Sequence, residues 1–270
     1  MAERDYVLGT DAIEDERLGL QHRVWRPEVL TVWRQAGITA GSKVLDVGCG
    51  PGHATADLAQ IVGSRGRVIA FERSARFLDQ AHERCAEFPW VEFVERDLMD
   101  PGMGIAGFDF AWCRWVASFV PDPKKLVNNI AGALRQGGKV IFHDYLDYEG
   151  WTITPETSTH QKFVSAVVSN WVRSGGTPNV ARVLPSLLID AGFRIDSVKP
   201  LNYLIRPNEF MWQWPKTFIE SHAPRLVEAG ALTQNEVDKF MAEFYAMEKD
   251  EKTILFTPTV AEIVAVKSRA

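Results

Sequence analysis

Val44-Leu45-Asp46-Val47-Gly48-Cys49-Gly50-Pro51-Gly52 is the stretch from which the rest of this chain is read. A short apolar strand runs into three glycines within five positions, and His53–Val62 then takes up helical spacing. Glycine permits positive φ and lets a ligand come close to the backbone. N–H groups at such a turn are expected to face outward toward that ligand. In an open α/β sheet this place is the carboxyl end of the first strand, where ligands bind.

Working outward, the pattern repeats. Arg67–Phe71 predicts a second strand, Ser74 caps a helix running to about Phe88, and Val91–Val94 and Phe108–Cys113 predict the next two strands. Asp122-Pro123 supplies an N-cap and a first-turn proline for a helix ending near Arg135, and Lys139–Tyr145 is a fifth strand. Leu184–Ala191 reads as a helix, with Phe193–Val198 and Thr259–Val266 as the last two strands. The expected fold is α/β: a Rossmann-like, doubly wound, mostly parallel seven-stranded sheet with a helical cap inserted in the C-terminal half.

Four regions follow. Residues 1–40 form an N-terminal helical segment, with Pro27 splitting the 11–36 helix in two. Residues 41–145 are the ligand-binding α/β core. Residues 146–180 and 201–250 are the cap, helical at 156–174 and 207–250, with Thr233 and Glu236 spaced as a capping box. Residues 181–200 and 251–270 complete the sheet.

Acidic residues sit at the strand ends. Glu72 closes the second strand, where a carboxylate can accept two ribose hydroxyls, and Asp97 follows the third, in reach of an adenine amino group. Asp46 lies inside an apolar strand, and a buried carboxylate needs a partner; a ligand ammonium is one candidate. A dinucleotide fingerprint would read GxGxxG; the spacing of Gly48, Gly50 and Gly52 departs from it, and Asp46 would repel a phosphate.

These residues resemble the class I S-adenosylmethionine-dependent methyltransferases, in the branch that modifies small molecules beneath a helical cap. VLDVGCGPG is similar to that family's first motif, FER to its ribose-binding acid and RDL to its adenine contact. FDFAWCRW and LRQGGKVIFHDY are similar to its fourth- and fifth-strand segments. The resemblance covers about residues 40–145 and continues weakly to the end. It implies S-adenosylmethionine as cofactor and S-adenosylhomocysteine as product; His143-Asp144-Tyr145 does not supply the several convergent oxygens of a divalent metal site, so no metal is expected. The implied cofactor residues are Tyr6, Gln21, Asp46, Gly48, Cys49, Gly50, Gly52, Glu72, Arg73, Asp97, Leu98, Arg114 and Trp115.

Composition narrows the partners. The chain has 270 residues and a net charge of −5, which argues against a nucleic-acid binder. Cys49, Cys85 and Cys113 are too scattered for a disulfide scaffold or a zinc site, and suggest reduced thiols in a cytoplasmic protein. No apolar run approaches the roughly 20 residues of a membrane span, so no membrane partner is expected. Monomer and homodimer both remain open.

His143 is the base candidate, against a reading as a packed core histidine; His222 is a second. His143 and Tyr145 should share one sheet face and Asp144 the other. Tyr145, Trp151, Trp171, Trp212 and Trp214 are expected to wall an apolar acceptor pocket. Methyl transfer to O, N or C of a small, largely apolar or aromatic molecule is the reading; methylation of protein or RNA, and cofactor binding without turnover, are its alternatives.

Overall fold

The computed structural model describes residues 12–268. In chain order the first half comprises α1 (Ala12–Ala36), β1 (Lys43–Val47), α2 (His53–Val62), β2 (Arg67–Glu72), α3 (Ala75–Arg84), β3 (Val91–Glu95), β4 (Phe108–Arg114), α4 (Pro123–Ala133) and β5 (Leu134–Asp147). The second half comprises β6 (Thr152–Thr154), α5 (Ser158–Arg173), α6 (Leu184–Asp190), β7 (Phe193–Leu201), β8 (Leu204–Ile205), α7 (Gln213–Glu228), α8 (Gln234–Glu248), β9 (Ile254–Phe256) and β10 (Thr259–Lys267).

Seven strands form one sheet in the order β3-β2-β1-β4-β5-β10-β7. The first five are parallel; β10 runs antiparallel to both neighbours. β1 and β2 are buried at nearly every position, as strands covered on both faces must be. Alternation divides β1: Val44 packs with α1 and α2, and Leu45 and Val47 pack with α4 and α6. The strand order reverses between β1 and β4, the switch point at which open α/β sheets bind ligands.

α1 is one helix, not two pieces. Pro27 lies inside it, and Trp25, Val29 and Trp33 are fully buried on its sheet-facing side. Interior proline costs about 3 kcal/mol, whereas each such side chain contributes roughly 2 kcal/mol or more on burial; packing wins. The 207–250 region likewise divides into α7 and α8, because Gly230 takes φ +66 between them.

The cap contains β structure that the helical reading passed over. β6, β9 and β8 form a second, three-stranded antiparallel sheet. Ile254–Phe256, expected to belong with the main sheet, therefore joins the cap, and Leu255 enters the cap core beside Trp151, Phe163, Trp212, Phe240 and Phe244. Strands of two and three residues are too short to carry a period of their own.

Candidate active site

The glycine turn is held almost wholly by its own fold. Gly48, Gly50 and Gly52 have φ of +74, +53 and +82. A Cβ on Gly48 would lie 2.5 Å from Val116 Cγ2, and one on Gly52 would lie 2.8 Å from Ala81 Cβ. A Cβ on Gly50 would meet nothing within 4 Å. Of the three, Gly50 is the glycine that leaves room for a ligand. The expectation of outward N–H groups is corrected: Gly48 and Cys49 donate to the Phe71 carbonyl, Gly52 to the Cys49 carbonyl, and Gly50 to Glu72 Oε2 at 3.0 Å. The Cys49 side chain is buried in the turn, and burial pushes its thiol up, away from reactivity.

Glu72 stands half-buried against this turn, its Oε1 accepting the Arg73 and Ser74 N–H groups. Arg73 offers that backbone donor while its side chain is exposed. Asp97 is exposed and accepts the Met99 N–H at 2.8 Å, whereas Leu98 packs inward against the sheet core. Asp46 is 2% exposed, and Thr55 Oγ1 donates to its Oδ2 at 2.7 Å. The partner sought for Asp46 is thus supplied by α2. Burial lifts the Asp46 carboxyl to about 6, the Thr55 bond and Arg114 opposing the shift.

α1 lies across the crevice and is tied to it by charge. Asp15 pairs with His53 and Arg84, and Arg84 also donates to the Pro51 carbonyl. Asp57 of α2 pairs with His22 and Arg26. Arg114 Nη2 donates to His22 Nδ1 at 3.1 Å, which leaves His22 Nε2–H to donate to Asp57 Oδ2. Burial first, then Arg114 and Arg26, lower the His22 pKa and keep this ring neutral. The Arg114 guanidinium also stands 5.1 Å from the Trp115 ring centroid. Tyr6 lies outside the described residues.

Beyond Trp115 a cavity of about 40 Å³ opens between α1, β5, α5 and α7. Trp115 has φ +51, the one non-glycine positive φ among the described residues, and its N–H is held by the His143 carbonyl at 2.8 Å. That turn places its ring parallel to Tyr145 and Trp214. Tyr145 and Trp171 line this cavity, and Trp171 Nε1 donates to the Ser118 carbonyl. Trp214 stands behind Trp115 and donates to Gln21 Oε1 at 3.2 Å. Trp151 and Trp212 are corrected: both are cap core, Trp212 bonded to Glu248 and stacked on Phe244.

Gln21 belongs to this cavity wall. Its Oε1 accepts from Arg17 Nη1 and Trp214 Nε1, and Arg17 is locked in a buried two-point pair with Glu14. The sequence reading missed Glu14 and Arg17, although Glu14, Arg17 and Gln21 recur at helical spacing on one face of α1. His143 is not brought to the cavity. It is fully buried against Trp112, and its Nε2 bonds Glu262 Oε2 at 3.1 Å across the β5–β10 pair. As expected, Asp144 faces the other way and accepts the Ser118 N–H at 3.2 Å. His222 lines the cavity, stacked on Phe218.

Among the described residues no cluster of His, Cys, Asp or Glu could hold a metal, and no helix is long and apolar enough to cross a membrane. Residues 45–142 match the family model described as a methyltransferase domain. A 37.1 kDa uncharacterised protein of transposon TN4556 from Streptomyces fradiae is 30% identical over 193 residues, 71% of this chain and 54% of that protein. Demethylmenaquinone methyltransferase from Staphylococcus aureus is 32% identical over 121 residues, 45% of this chain and 49% of the enzyme. The matches thus span about half the length of these relatives. Phosphoethanolamine N-methyltransferase 2 from Haemonchus contortus, solved with S-adenosyl-L-methionine, shares the fold at TM-score 0.55 and 20% identity, covering 91% of this chain and 53% of that one. The methyltransferase-domain match from Leu45 to Phe142 falls on the Rossmann-like sheet that this chain shares with solved methyltransferases.

Proposed function

We propose that the chain binds S-adenosylmethionine beside Gly50 and directs its methyl group to O, N or C of a small, largely apolar or aromatic acceptor. The observation that carries this reading is adjacency. Arg114 ends β4 beside the crevice at the switch point, and the next residue, Trp115, forms a wall of the aromatic cavity.

The crevice suits an adenosyl amino acid more than a dinucleotide. Space is open at Gly50, the nearby side chains Asp46 and Glu72 are acidic, and the turn's N–H groups are engaged within the protein. Glu72 would accept the ribose hydroxyls and Asp97 the adenine amino group. When bound, the cofactor supplies a methyl group already activated by the sulfonium charge. The protein's work is then to align the acceptor and exclude water. α1 and the stacked rings of Trp115, Tyr145 and Trp214 provide a dry enclosure for that. An apolar acceptor is also in keeping with the quinone-modifying name of the Staphylococcus aureus relative.

Titration calorimetry tests the reading. Both S-adenosylmethionine and S-adenosylhomocysteine should bind, and Glu72→Gln should weaken each by about tenfold or more, since a charge-assisted hydrogen bond contributes roughly 1.5–3 kcal/mol. Absence of binding by either compound overturns it. Binding without label transfer across a broad acceptor set would favour a non-catalytic role.

A further inference from the structure

The cavity beyond Trp115 has a chemical bias that the methyltransferase reading does not by itself supply. Its walls are flat: Trp115 and Tyr145 are stacked, as are Phe119 and Trp171 and, on α7, Phe218 and His222. No carboxylate lines it, while the Arg17 guanidinium does. The Arg17 charge is matched by its two-point pair with Glu14, so the lining offers a cationic acceptor no carboxylate of its own and suits a neutral aromatic one.

Two wall residues, Trp115 and His222, have a buried ring nitrogen without a hydrogen-bond partner, and of these the imidazole can accept as well as donate. His222 is 4% exposed, its ring lies 4.8 Å from that of Phe218, and its Nδ1 has no hydrogen-bond partner. A buried polar nitrogen left so is costly and calls for an explanation. Burial, and after it Arg225 and Arg17, lower its pKa to about 4, so the ring is neutral near pH 7. A neutral imidazole carries one donor and one acceptor nitrogen, and a hydroxyl can answer either.

Resting on the proposed function, and narrowing it, we infer that the acceptor is a flat hydroxyaryl compound whose hydroxyl group is held by His222. The aromatic walls take the ring faces, and His222 is the specificity-determining residue. At about 40 Å³ the cavity admits a few water-sized molecules, so taking up such an acceptor requires its walls to move apart.

The test is binding, which needs no cofactor and no turnover. Quenching of tryptophan fluorescence would be titrated with 2-naphthol, naphthalene and 1-naphthylmethylammonium. The wild type should bind 2-naphthol at least tenfold more tightly than either other probe. His222→Phe, which keeps the stack on Phe218, should bring the naphthol-to-naphthalene ratio near one while naphthalene affinity holds. Should that variant fail to fold, His222→Leu is measured in the same way. A wild-type ratio near one, a ratio kept in the variant, or preference for the ammonium probe overturns the inference. Loss of cofactor binding in calorimetry would leave these ratios readable and would strike the proposed function instead.

Discussion

At the scale of single residues, three glycines of one turn divide between two duties. Gly48→Ala and Gly52→Ala combine a left-handed backbone with direct clashes, Gly52's against Ala81 including its Cα at 3.0 Å. Each should cost about 2–4 kcal/mol in urea denaturation. Gly50→Ala meets no atom, so it should cost about 1–2 kcal/mol, the backbone term alone, while weakening S-adenosylmethionine binding. Asp46 makes a pH prediction. Its folded pKa of about 6 lies above the ordinary 3.8, so between these values the folded state holds a proton that the unfolded chain releases. The stability this contributes is complete below about pH 4 and is lost as pH rises through 6. Asp46→Asn abolishes that loss. The variant should therefore gain on the wild type across the window, by on the order of 3 kcal/mol at pH 7, read from denaturation midpoints at each pH.

At the scale of elements, local chemistry and packing divide the outcome. The capping box at α8 was legible from Thr233 and Glu236, and both of its reciprocal bonds form. Thr233→Ala should cost about 1 kcal/mol, seen in thermal melts together with reduced helical circular dichroism. α1 went the other way: Pro27 argued for a break, yet three buried side chains hold the helix continuous. The parallel strands were legible because burial on both faces demands long apolar runs. β6, β8 and β9 were not, since each borrows its stability from pairing with segments as far apart as 100 residues, as Thr152 with Phe256 shows.

At the scale of the whole molecule, α1 joins the sheet to the cap. It packs Trp33 on Trp112 of β4 and Trp25 on Trp214 of α7, and it is tied to α2 through Asp57. Asp57→Asn removes the carboxylate that accepts from the neutral His22 ring and pairs with Arg26. Hydrogen exchange in α1 should then quicken by roughly tenfold relative to β1 and β4, corresponding to about 1–2 kcal/mol; equal rates would show that aromatic packing alone holds the helix. The sequence by itself determined the sheet, its glycine turn and the acids at Asp46, Glu72 and Asp97. Those features depend on neighbours a few residues away and on strand ends that the α/β order must bring to one edge. Only the tertiary structure decided which aromatics face the cavity, that His143 is spent on Glu262, and that His222 is not spent in this way. A residue type states what a side chain can bond; which bonds it makes depends on partners more than 100 positions away, and on the packing that brings them within 3 Å or so.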